Sequence, residues 1–320
     1  MIQFRPRWER HFTAMGTKCH IVVEGGRKAL LDHGVDQVRA LETAWTRFSA
    51  DSEVSRVNAA GPRGLRVSRD TLVLFQVALA AETITAGACD SFMADEIESA
   101  GYDRDFADLP SPDQAPHRPS SDPRLTGRPS VRTTARRAGV RLLDRRKSYV
   151  RLPSGYALDA GGIGKGLAAD LVTQALRQQG AVAVLVNLGG DLRVRGHPQQ
   201  GGWEIGISDE VGSREQDLSV KLTAGGLCTS SQTRRRWLHH GAVQQHLLDP
   251  RTGGQLNSRW AAATVIAPHA WLAEALSKAA LVLPASRFDR LLRRHFAGAI
   301  QQDWNGRVSQ SPNSTELRPR

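Results

Sequence analysis

The sequence predicts an α+β fold, mixed and antiparallel sheets with flanking helices, on three grounds. Some stretches carry apolar residues at spacings of three and four, the period of a helix with one buried face. Others alternate, or run briefly apolar between Gly-, Pro- and Asp-containing turns, as strands do. Hairpin and helix patterns also follow one another irregularly, which argues against the regular alternation of a doubly wound sheet. With 320 residues, 40 % of them hydrophobic, the chain can bury a substantial core. We read it as a single domain over 1–320, with no internal repeat.

The alternation in AMGTKCHIVVE predicts an opening strand over residues 14–24. Leu30, Leu31, Val35, Val38, Leu41 and Trp45 predict a helix from Lys28 to Phe48. A second runs from Ser68 to Thr85, with Ser68 as N-cap and Gly87 as terminator. Residues 107–137 then change character: six prolines stand among serines, aspartates and arginines, and nothing there can bury a face. We expect a mobile surface insertion, because strand-like segments at 140–143 and 149–152 continue the domain beyond it. Its arginines, Arg128, Arg132, Arg136 and Arg137, fit a solvated basic loop better than a phosphate site.

After a Gly-rich turn, a helix is expected over Leu167–Gln178, then the apolar strand AVAVLVN, a Gly-Gly-Asp turn and a strand ending near Val194. Strands follow at 203–207, 218–222, 244–248 and 263–266, then a helix over Ala270–Leu283 and a closing helix–strand pair. Residues 310–320 read as a flexible tail.

Composition narrows the function classes. A net charge of +11 and a pI near 10.4 favour anionic ligands without choosing among them. A nucleic-acid binder would need aromatic and basic residues interleaved on strands, or a basic recognition helix, and neither is present. Cys19, Cys89 and Cys228 lie far apart, outside any zinc or disulfide spacing, and are expected to be buried and unpaired. There is no signal-like leader and no run of about 18 apolar residues, so a cytoplasmic location is expected.

Three segments carry chemistry. In ALDAGGIGKGLAAD (157–170) four glycines lie between a strand and a helix, where backbone amides, the helix dipole and Lys165 can together receive a phosphate. The spacing is neither that of a Walker A loop nor that of a Rossmann turn. A tight turn whose glycines serve helix packing is the alternative. VNLGGDLRVRG (186–196) reads equally as a hairpin turn. HLLDPRTG (246–253) offers His246 for proton exchange, with Asp249 and Arg251 to fix a loop or hold a ligand.

In this order and at these separations, the three blocks resemble the signature of the ApbE family of FAD:protein FMN transferases: D-x-G-G-I-A-K-G, N-x-G-G-D and H-x-x-D-P-x-T-G. MGT at 15–17, FSADSEVSRVN at 48–58 and GYDRDF at 101–106 are also similar to family blocks. The resemblance implies that fold and an FMN transfer from FAD to a Thr or Ser hydroxyl of an acceptor flavoprotein that carries a short motif. It further implies that Gly162, Gly164 and Lys165 lie at the FAD pyrophosphate with Asp159 close by, and that His246 takes the acceptor's proton. Met15, Gly16, Asp103, Asn187, Gly189, Gly190, Asp191, Thr229, Ser230, Asp249 and Arg251 fall in blocks that line the family's flavin site.

Family members also use magnesium, held by a backbone carbonyl of the Gly-rich loop, here that of Gly164, and by Asp and Thr of a late A-D-A-x-x-T helix. The corresponding AEALSKA (273–279) has Glu274 for the aspartate and Lys278 for the threonine. At i and i+4 the two can pair with each other. That departure leaves open whether magnesium binds, and whether the protein transfers FMN or only binds or hydrolyses FAD.

Overall fold

A computed structural model describes residues 4–112, 143–144, 146–212, 218–312 and 317–319. The core of the insertion expected at 107–137, with its arginine cluster, lies outside the described residues. In chain order the elements are β1 (Arg7–Ala14), β2 (Thr17–Glu24), α1 (Leu30–Trp45), α2 (Glu53–Ala60), β3 (Leu65–Arg66), α3 (Arg69–Ile84) and α4 (Ala94–Ser99). They continue with β4 (Leu143–Asp144), β5 (Tyr149–Val150), α5 (Gly164–Gln178), β6 (Ala183–Leu188), β7 (Asp191–Gly196), β8 (Trp203–Ile207), β9 (Leu218–Leu222) and β10 (Gly225–Ser231). The last are β11 (Arg236–His239), β12 (Ala242–Gln245), β13 (Trp260–Ala267), α6 (Ala270–Val282), α7 (Ala285–Arg294), β14 (Gly298–Asp303), β15 (Val308–Gln310) and β16 (Leu317–Pro319). The chain divides into two compact units, residues 1–42, 163–230 and 259–320, and residues 43–162 and 231–258.

The first unit is built on an eight-stranded sheet of order β1-β2-β6-β7-β10-β13-β14-β15 and a three-stranded sheet of order β16-β9-β8. Strand β6, AVLVNL, is apolar at nearly every position because both of its faces are covered. Ala183 and Leu185 join Leu192, Val194, Trp203 and Val220 in the cluster that includes the small sheet. By the two-residue period, Val184 and Val186 face the other side, where α5 packs on β6 and β7. Helix α6 packs on β13 and against α5.

The expected strand over 14–24 is instead the second arm of a hairpin. Met15 and Gly16 both have positive φ, and Ala14 pairs with Thr17, so two residues make the turn. β1 was missed because its alternation, Trp8, Arg10 and Phe12 against charged residues, is only half-buried. In the tail expected to be flexible, Leu317–Pro319 pair with β9.

The second unit packs α2, α3 and α4 with the short sheet β3-β5-β4 and the hairpin β11-β12. Ser68 caps α3 as expected, accepting the Thr71 amide at 3.3 Å, and Gly87 (φ 85°) closes onto the Glu82 carbonyl. Trp237, fully buried, packs on Tyr102 and Ile97 and donates its indole N–H to the Ala100 carbonyl at 2.8 Å. All three cysteines are buried and none is in a disulfide. No helix among the described residues is long and apolar enough to cross a membrane.

Candidate functional site

The Gly-rich stretch is not a loop followed by a helix at Leu167. Gly164, Lys165 and Gly166 already form the first turn of α5, so Lys165 projects from a helix N-terminus. The reason is packing. A Cβ on Gly166 would lie 2.6 Å from the Ala270 carbonyl oxygen and 2.9 Å from Glu274 Oε2, and glycine lets α5 approach the start of α6 that closely.

Behind this turn lies a buried network of four charges. Glu274 Oε2 accepts the Gly166 amide at 2.8 Å, while its Oε1 lies 3.3 Å from the Lys278 ammonium and 3.5 Å from that of Lys165. Lys165 also pairs with Asp191, the first residue of β7. Burial pushes the Glu274 carboxyl up, but Lys278, Lys165 and the Gly166 amide outweigh it and hold the pKa below its ordinary value. For Asp191 burial prevails over its lysine neighbours, and its pKa is raised.

The same end of the sheet gathers other expected residues. Gly189 and Gly190 form the β6–β7 turn, and Asn187 Oδ1 accepts the Gly190 amide at 2.8 Å, so that side chain serves the turn itself. Gly189 donates to the Lys18 carbonyl at 3.0 Å, and a Cβ there would collide with Thr17, which joins the N-x-G-G-D turn to the Met15–Gly16 turn. The Met15 amide is held by Glu42. On β10, Thr229 shares a hydroxyl bond with Thr264 and Ser230 one with Ser277, each 2.8 Å long. Cys228 beside them donates to the Ala270 carbonyl, and burial drives its thiol well above the ordinary range.

In the second unit, Asp159 Oδ1 accepts the Gly161 amide at 2.8 Å and lies 3.6 Å from Arg47 Nε. Arg47, missed in the sequence, is nearly buried; it stacks on Phe48 and Tyr102 and donates to the Tyr102 carbonyl. Asn58 clamps the approach to Asp159, donating to the Leu158 carbonyl and accepting the Leu158 amide, both at 2.9 Å. Gly162 closes the turn by donating to the Asp159 carbonyl at 3.4 Å. His246, half-buried, directly follows β12. Asp249 and Arg251 are engaged with each other at 2.7 and 3.0 Å, so the pair fixes the D-P-R-T-G turn; burial works against the Asp249 carboxylate, but Arg251 holds its pKa low. Asp103 is exposed and paired with neighbouring Arg104 at 2.8 Å.

A second missed residue is Asp170. It accepts the Trp271 amide at 3.0 Å and lies 3.1 Å from Arg193 Nε, so it caps α6 from α5. Its sequence signal was weak, a lone acid after an alanine pair.

The magnesium ligation implied by the resemblance does not fit these residues. A hard dication seeks about six oxygen ligands. Here both Glu274 oxygens are taken by an amide and two ammoniums, and Lys278 adds positive charge where a cation would need its ligand.

The fold defines the chain as an α+β protein of the kind seen in solved ApbE structures. The Thermotoga maritima ApbE protein matches with a TM-score of 0.76 and 23 % identity over 96 % of this chain and 97 % of that one. The flavin transferase ApbE from Vibrio cholerae matches with a TM-score of 0.74 and 21 % identity over 97 % of this chain and 98 % of that one. The profile of the ApbE family matches residues 15–300, and the chain belongs to that family. Curated relatives named FAD:protein FMN transferase include those of Treponema pallidum, 28 % identical over 89 % of this chain and 81 % of the relative, and Haemophilus influenzae, 25 % over 84 % and 78 %.

Proposed function

We propose that the protein is an FAD:protein FMN transferase acting on a Thr or Ser hydroxyl of an acceptor flavoprotein, in the cytoplasm. Membership of the family and the names of its relatives support this reading. The observation that carries it is the helix start at Gly164–Gly166, where Lys165 and Lys278 stand over Glu274 and Asp191. The positive end of a helix dipole and two ammoniums suit a pyrophosphate.

In the reaction the acceptor hydroxyl oxygen bonds to the FMN phosphorus, the bond to the AMP phosphate oxygen breaks, and AMP leaves. His246 is assigned the hydroxyl proton, since an alcohol is a poor nucleophile until a base takes it. Positive charge must meet the growing charge on the leaving phosphate. Here Lys165 and Lys278 are assigned that role, and no divalent ion is assigned to Glu274.

The test is to incubate purified protein with FAD and an acceptor flavoprotein and to read the acceptor's intact mass. A gain equal to FMN less water supports transfer, and an unlabelled acceptor rejects it. A second reading, hydrolysis of FAD to FMN and AMP, rests on Lys278 standing at the threonine position of the A-D-A-x-x-T pattern that the resemblance implies; AMP release without labelling would favour it.

A further inference from the structure

Far from Lys278 in sequence, the β1–β2 hairpin holds a donor set that the flavin chemistry does not use. Glu9 and His11 are two apart on β1 and so share a face, and His20 on β2 is the register partner of His11. The two imidazoles stack with centroids 3.9 Å apart and planes 7° from parallel. His20 Nε2 is shielded from solvent and forms no hydrogen bond, yet it lies 3.4 Å from Glu9 Oε2. One donor atom from each of the three residues falls within 4.8 Å of the others.

We infer that Glu9, His11 and His20 form a binding site for a divalent transition-metal ion of the zinc class. Two imidazole nitrogens and one carboxylate oxygen suit zinc, nickel or copper, whereas magnesium and calcium take oxygen donors. Bond lengths of about 2.0–2.1 Å around a tetrahedral zinc place neighbouring donors about 3.3 Å apart. The Glu9–His20 edge already has that length. The remaining edges are no longer than 4.8 Å, and Glu9 and His11 are exposed, so their side chains have room to turn toward His20. Arg7 lies 3.7 Å from Glu9 and competes for it, but Arg7 also lies 3.9 Å from Glu24 and over the Trp203 ring, so releasing it orphans nothing. The fourth position is left to solvent. The ion would tie β1, the edge strand of the eight-stranded sheet, to β2.

The test uses the full chain, stripped with EDTA and dialysed. Zn2+ is titrated by calorimetry, and Co2+ is added separately to read its visible ligand-field absorption. The expected result is one equivalent of Zn2+ at micromolar affinity and a tetrahedral Co2+ spectrum, with His11→Ala and His20→Ala each weakening binding at least about tenfold. Circular dichroism confirms that both variants fold, and Glu9→Gln gives an independent weakening should either one not. No uptake by the parent below about 100 μM, or uptake unchanged in the variants, overturns the site.

Discussion

Lys278 Nζ lies 3.3 Å from Glu274 Oε1, one helical turn away on α6, and Glu274 is almost wholly buried. A buried carboxylate that relies on two ammoniums is costly to leave with one. Replacing Lys278 with Met should therefore lower unfolding free energy by about 3 kcal/mol, read by urea denaturation. The double change Lys278→Thr with Glu274→Asp removes the ammonium and shortens the acid. Its transfer activity is expected to require added magnesium, while the parent is unaffected by EDTA; a parent that EDTA silences contradicts the assignment.

Gly166 should not tolerate a methyl group. The Cβ of Gly166→Ala would press on the backbone carbonyl of Ala270 and on Glu274, and a packed backbone yields only by moving α5 away from α6. We expect a loss of about 2–3 kcal/mol and weaker FAD binding, measured by denaturation and by flavin fluorescence. Unchanged values in both would mean that the close approach is unimportant.

Asn58 makes both of its bonds to one residue, Leu158, 100 positions later. Asn58→Ala leaves a backbone donor and an acceptor without these partners and should cost about 2–4 kcal/mol. Hydrogen exchange at the Leu158 amide should speed up in step; protection equal to the parent's would show that the clamp is idle.

The pH dependence follows from Glu274. Its folded pKa is depressed, so its contribution is fully present above the unfolded value, about 4.3, and is lost as pH falls through the lower folded value. Asp191, raised by burial, opposes this, because its folded form retains the proton. Glu274→Gln should flatten the acid limb of a stability–pH profile recorded below about pH 5. An identical limb in both proteins would place the acid sensitivity elsewhere.

What could be read from the sequence was what depends on local pattern. The helices α1, α3 and α6 and the strands β8 and β9 came within a few residues of their observed ends, because their apolar spacing and caps are set locally. The short helices α2 and α4 lack the length for a clear period, and β10, Gly-Gly-Leu-Cys-Thr-Ser-Ser, looks like a turn until its neighbours bury it. Gly164–Gly166 read as a loop because glycine is a poor helix former, yet tertiary packing against Ala270 demands it there. The motifs named Lys165, Asp191 and Glu274, but their convergence belongs to the fold, which brings Glu274 to the Gly166 amide across 108 residues of chain. Arg47, Asn58 and Asp170 hold other groups in place; Arg47 precedes the 48–58 block, and Asn58 and Asp170 end quoted segments without a chemistry of their own to mark their roles.

The most direct measurement counts AMP released and flavin attached in one reaction, with FAD, an acceptor flavoprotein and EDTA, for the parent and for His246→Ala. Equal amounts of AMP and attached FMN are expected from the parent, and neither from His246→Ala although it still binds FAD. AMP without attached flavin, or a His246→Ala protein as active as the parent, would contradict it.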